Sequence, residues 1–158
     1  VTDGLAAVAD AGLAYDLLVR ERELPAACAV ARRLPQLTLV VDHLAKPRIR
    51  EGVTDPWAGE LATLARQPNV ACKVSGLVTE ADWNAWTPTQ LVPYVRHAVE
   101  AFGPERLLFG SDWPVCLLAA GYGEVVAATA EALDRAGLAP AEREAVFGAN
   151  ARRLYRLP

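Results

Sequence analysis

Four apolar runs of strand length divide this 158-residue chain, and an amphipathic stretch separates each run from the next. They are Leu13 to Val19, Leu37 to His43, Val70 to Ser75 and Arg106 to Asp112. Their apolar character is close to continuous instead of alternating with polar residues, so they read as strands buried on both faces. The stretches between them carry helical periodicity. From about Glu23 to Arg33, Leu24, Ala27, Cys28, Ala31 and Leu34 share one side, and a further helix is expected from about Pro56 to Arg66. The clearest helix start is at Thr87, with Pro88 at the first helical position and Gln90 completing a capping box. Leu91, Val95, Ala98 and Phe102 form its apolar stripe, and Gly103 and Pro104 end it. The chain opens on a helix tail stopped by Gly12; a helix from Tyr122 to Arg135 follows the fourth strand, and two short helices close the chain. This order predicts an α/β domain over residues 1–158, a parallel sheet with helical crossovers. Four such units are about half of an eight-stranded barrel. A doubly wound sheet is the alternative, but no glycine-rich phosphate loop follows the first strand.

In parallel β/α architectures chemistry gathers at the C-terminal ends of the strands, and here those ends are polar. Period-two alternation puts Leu108, Gly110 and Asp112 on one face of the last strand, with Pro114 closing it. Leu39, Val41 and His43 share a face of the second strand, as do Ala71, Lys73 and Ser75 of the third. A lysine in an apolar strand is costly to bury unless it meets an anion or a wet cavity. Asp112 suits a general base, and His43 suits a metal ligand or a hydrogen-bond donor to a developing oxyanion. Lys73, Ser75, Lys46 and Trp113 are the candidate substrate contacts. Asp16 is a weaker candidate for orienting a neighbour, and His97, beside a helix stripe, reads as structural.

The net charge of -3 comes with no basic stripe, which argues against nucleic acid or an anionic membrane surface as partner. A small-molecule substrate fits better. No apolar run approaches membrane-spanning length and no signal pattern opens the chain, so a cytoplasmic location is the expectation. Cys28, Cys72 and Cys116 are odd in number and widely spaced, as expected for packed, reduced thiols.

Several segments taken together resemble the amidohydrolase-2 branch of the amidohydrolase superfamily, and within it sugar-lactone hydrolases of the fuconolactonase type. They are Asp42-His43-Leu44-Ala45-Lys46-Pro47, Cys72-Lys73-Val74-Ser75-Gly76-Leu77, Glu80-Ala81-Asp82-Trp83, Phe102 through Pro114, and Phe147-Gly148-Ala149-Asn150-Ala151. The resemblance implies the C-terminal half of a TIM-type (β/α)8 barrel that hydrolyses a lactone or related carboxylate substrate. It makes His43 the mid-chain active-site histidine and Asp112 the proton acceptor. The cofactor stays open between one divalent, zinc-like metal, with His43 and Asp112 among its ligands, and no metal.

The sequence departs from that family in one respect. The family's first strand carries a His-x-His pair, whereas the only histidines here are His43 and His97. With no Met and a first residue already in helix-like sequence, the chain reads as a fragment lacking N-terminal strands, or as a subunit completed by another chain. Four parallel strands would leave two unpaired edges open to self-association. Sedimentation of this chain alone, alongside a lactone hydrolysis assay, is expected to show association without turnover; a monomer that turns over would refute the fragment reading.

Overall fold

The computed structural model describes residues 2–158. The opening helix α1 (Thr2–Asp10) leads into β1 (Ala14–Leu17), α2 (Leu24–Arg33), β2 (Thr38–Val41), α3 (Trp57–Ala65) and β3 (Val70–Val74). The short α4 (Leu77–Glu80) and the long α5 (Pro88–Phe102) precede β4 (Leu107–Phe109) and α6 (Tyr122–Arg135). The chain ends in α7 (Pro140–Glu144), a π-turn over Ala145–Ala149 and α8 (Asn150–Leu154). The cap expected at Thr87 is in place, its N–H donating to Gln90 Oε1 at 2.9 Å.

The strands form one sheet in the order β1-β2-β3-β4, each parallel to its neighbour. This is the expected topology. Crossover helices pack on one face, where Leu39, Val41, Cys72, Val74 and Leu107 join the large core with Leu24, Trp57, Leu61, Leu91 and Val95. On the opposite face Val40, Ala71 and Leu108 form a small cluster covered by Ala151, Leu154 and Tyr155 from the last helix and the turn after it.

One assignment from the sequence is corrected here. Alternation groups Leu39 and Val41 with His43, as it groups Ala71 with Lys73 and Leu108 with Asp112, but Leu39 and Val41 point to the helices while Ala71 and Leu108 lie on the opposite face. The reason is register: Val40 pairs with Ala71, and in a parallel sheet paired residues project to the same side, so the flanking residues of β2 must face the other way. Alternation within a single strand cannot reveal which alternate set faces the helices.

Three side chains hold the lower ends of the strands by donating to backbone carbonyls there. Arg106 Nη1 donates to the carbonyls of Ala65, Gln67 and Val70 at 2.8, 3.2 and 3.0 Å. Asn69 Nδ2 lies within 3.2 Å of the carbonyls of Ala31, Leu34 and Leu37. Asn150 Nδ2 donates to Pro104 O and Leu107 O, both at 2.8 Å.

His97 is half-buried, with Nε2 at 2.8 Å from Ala58 O and its ring against Trp57, consistent with a structural role. All three cysteines are free and buried. Among the described residues no helix is long and apolar enough to cross a membrane. Within the described residues β1 and β4 each pair on one side only, and Leu13, Tyr15 and Leu18 at the β1 edge are exposed.

Asn150 is almost fully buried, so Asn150→Ala removes two hydrogen bonds, to Pro104 O and Leu107 O, from the interior. The expected loss is on the order of 2 kcal/mol, read as a lower urea midpoint at unchanged slope.

Candidate active site

The site begins with an unusual piece of backbone. After β2 the chain passes Asp42 and then runs through four consecutive non-glycine residues in the left-handed region, His43, Leu44, Ala45 and Lys46, with φ of 54°, 50°, 57° and 54°. For an L-residue that conformation costs about 1–2 kcal/mol, so such a run persists only where its surroundings over-determine it. They do so here. Leu44 and Ala45 are fully buried, Trp57 Nε1 donates to Leu44 O at 2.6 Å, and the Lys46 N–H closes on His43 O at 2.7 Å. Lys46 Nζ donates to Glu80 at 2.9 Å, anchoring the far end of the turn.

This turn redirects His43. Its imidazole Nδ1 lies 2.8 Å from Ser75 Oγ, just past the end of β3. Ser75 is buried, and its hydroxyl donates to the imidazole or accepts from it according to the tautomer. In the tautomer with the proton on Nε2, the serine is the donor to Nδ1. Nε2 faces Asp112 Oδ1 at 3.8 Å, longer than a direct hydrogen bond. Asp112 is itself in the left-handed region, with φ of 57°. Its other oxygen, Oδ2, lies 3.5 Å from Thr79 Oγ1 on α4.

Asp112 does not end the fourth strand as expected. That strand stops at Phe109; the Gly110 N–H still donates to Val74 O at 3.2 Å, but pairing goes no further and Asp112 lies in the loop beyond. The chain approaches Ser75 closely here: a Cβ on Gly110 would come within 3.0 Å of Ser75 Cβ. Gly76 is constrained more tightly still. Its φ is +63°, and a Cβ there would lie 2.9 Å from Cγ and Nδ1 of His43.

Lys73 is placed differently from His43 and Asp112. Its ammonium bonds Asp16 Oδ2 at 2.5 Å and Asp42 Oδ1 at 2.8 Å, and it lies 5.5 Å from the centre of the Tyr155 ring. Tyr155 in turn donates its hydroxyl to Asp16 Oδ1 at 2.6 Å. Burial works to lower the lysine's pKa, but its bonds to Asp16 and Asp42 outweigh that and hold it above the ordinary value as a cation. Burial, and then the bond to Asp16, push the Tyr155 phenol up to about 12. Asp42 Oδ1 is buried with no well-formed hydrogen bond, so the lysine charge is what compensates it.

Of the remaining candidates, Lys46 is mostly buried and shares Glu80 with Arg20, while Trp113 is 63% exposed beside Asp112. Asp16 orients Lys73, in keeping with the orienting role considered for it. Thr79 and Tyr155 were not singled out from sequence. Thr79 lies one helical turn after Gly76, where a threonine also bonds the helix backbone, and Tyr155 reaches Asp16 across 139 residues.

The sequence matches the amidohydrolase family profile over residues 2–157. The chain belongs to the amidohydrolase family. It is 46% identical to an L-fucono-1,5-lactonase of Burkholderia multivorans over 153 residues, covering 91% of this chain and 51% of that protein. An L-rhamnono-gamma-lactonase of Scheffersomyces stipitis is 27% identical over 148 residues, 81% of this chain and 43% of that protein. A crystal structure of a Burkholderia multivorans amidohydrolase with bound zinc superposes with a TM-score of 0.94 at 42% identity, covering 99% of this chain and 57% of that one. The chain thus spans about half the length of the curated relatives it matches, and its four β/α units follow the amidohydrolase barrel fold.

The zinc in that relative raises the question of whether this amidohydrolase chain's own donors fit a metal. His43 and Asp112 face each other at 3.8 Å, but among the described residues no group of three or more His, Cys, Asp or Glu converges. A protein zinc site takes at least three such ligands. The donor set described here therefore does not fill one, and the chemistry below is derived from the side chains alone.

Replacing Gly76 by alanine should drive the His43 ring off Ser75 and strain the backbone. We expect stability to fall by about 1–2 kcal/mol, measured by urea unfolding, with loss of the NMR contact between the His43 ring and Ser75.

Proposed function

We propose that this chain contributes the base and the electrophilic group of a lactone-hydrolysing amidohydrolase site, with an aldonic acid lactone as substrate class. The observation that carries this is the 3.8 Å separation of His43 Nε2 and Asp112 Oδ1 on two loops at the same end of the sheet. A gap of that size accommodates a water held by both groups.

The chemistry then follows from donor and acceptor roles. Asp112 takes a proton from the water as its oxygen attacks the lactone carbonyl carbon. Charge builds on the carbonyl oxygen, and the His43 Nε2–H donates to it, its direction set by the Ser75 bond to Nδ1. When the ring C–O bond breaks, the leaving alkoxide takes the proton back from Asp112, and a hydroxy acid is released. Lys46, three residues after His43, and exposed Trp113, next to Asp112 in the chain, are proposed as contacts to the substrate's hydroxyls and ring. Residues 1–158 act in this as one domain. The relatives' names support the substrate class, since two of them are lactonases of deoxy-sugar acids.

The open outer edges of β1 and β4 within the described residues favour a second reading, in which turnover also needs strands from outside this chain. Both readings are tested with a panel of aldonolactones, L-fucono-1,5-lactone included, assayed by proton release. The assay is run on this chain alone and on this chain joined to the remaining half of the Burkholderia lactonase. Turnover by the joined protein alone selects the second reading, and no turnover by either folded protein removes lactone hydrolysis. In whichever form is active, Asp112→Asn should lower kcat by about 10²–10⁴ with the fold retained, because an amide cannot accept the water proton.

A further inference from the structure

We propose that Lys73 is a positioning residue for this site: held between Asp16 and Asp42, its ammonium pins the entry to the left-handed turn and thereby sets the direction of His43. The inference rests on the reading of His43 as a participant in the reaction.

The hydrogen-bonding capacity of Lys73 comes first. An ammonium has three N–H donors. One meets Asp16 Oδ2 at 2.5 Å, Asp42 Oδ1 lies 2.8 Å away as an ion-pair partner, and the Tyr155 ring covers the group at 5.5 Å. Tyr155 also occupies the other oxygen of Asp16, so that carboxylate is not free to swing away and release the lysine. A substrate arriving at His43 and Asp112 would find this cation already engaged by two carboxylates.

The topology supplies the second argument. Lys73 and Ser75 are two residues apart on β3 and its continuation, so their side chains leave the same side of the strand. Ser75 bonds the His43 ring, and Lys73 bonds the residue immediately before His43. One strand therefore grips the turn at two points, the side chain through Ser75 and the backbone entry through Asp42. The other supports of the turn, Trp57 on Leu44 O and Glu80 on Lys46 Nζ, act on residues after His43. Asp42 immediately precedes the left-handed run, and its buried Oδ1, which makes no hydrogen bond, is compensated by the Lys73 charge at 2.8 Å. Without that charge, a buried carboxylate must turn toward water. The peptide that begins the turn then moves with it.

The test uses the full chain and reads the turn directly. The Lys46 amide, bonded to His43 O at 2.7 Å, reports whether the turn is closed. In Lys73→Met, its hydrogen exchange should accelerate at least about tenfold more than that of the slowest sheet amides, with loss of the NMR contact between His43 and Ser75. Lys73→Arg should largely preserve both. Equal acceleration at all amides, or none at Lys46, would show a role in stability alone and overturn the proposal. Should Lys73→Met not fold, Asp42→Ala takes its place, because alanine offers the ammonium nothing to hold. It leaves Lys73 bound to Asp16 and should open the turn in the same selective way; full protection of Lys46 in that variant also overturns the proposal. In the active form of the enzyme, positioning lowers kcat at unchanged KM, whereas a substrate contact raises KM. Failure of lactone hydrolysis itself would leave the exchange result standing, so the two ideas fail separately.

Discussion

Everything at the open end of this sheet depends on the turn that follows β2 being held left-handed. Four consecutive L-residues in that conformation are together unfavourable by several kcal/mol, at about 1–2 kcal/mol each, and the local bond from Lys46 N–H to His43 O offsets only part of this. The remaining compensation is tertiary: burial of Leu44 and Ala45, the Trp57 indole on Leu44 O, and charged anchors at Asp42 and Lys46. The strain has a geometric use. Had β2 simply continued, alternation would have sent residue 43 to the helix-packed side with Leu39 and Val41. The reversed backbone brings the imidazole to Ser75 and Asp112 instead.

The two glycines at this end serve the same geometry. Gly76 leaves room for the imidazole against the backbone, and Gly110 lets the last loop approach Ser75. Asp112 then faces His43 at 3.8 Å, without a direct hydrogen bond between them. Polar groups at the opposite end do different work. Arg106, Asn69 and Asn150 donate to backbone carbonyls there, at the end of the sheet away from the candidate site.

The second charged group, Lys73 with Asp16, Asp42 and Tyr155, lies on the face turned away from the crossover helices. A lysine in an apolar strand was recognisable as an anomaly from the sequence, since a buried charge demands a partner. Its partners were not recognisable. Asp16 lies 57 residues before it and Tyr155 is in the last turn of the chain, so only the packing of the C-terminal segment under the sheet brings them together.

Legibility in the sequence followed the range of the forces involved. Near-continuous apolar runs, a capping box at Thr87 and stop signals at Gly103 and Pro104 are local, and they determined the four parallel β/α units and most helix boundaries. Motif chemistry likewise marked His43, Asp112 and Ser75, which the structure brings together. Which face of β2 looks inward, where β4 stops, and how His43 reaches its partners were decided by tertiary structure alone. Register is a property of pairs of strands, and a left-handed turn of non-glycine residues is stable only through contacts with distant segments. No pattern within Asp42 to Lys46 could have disclosed it.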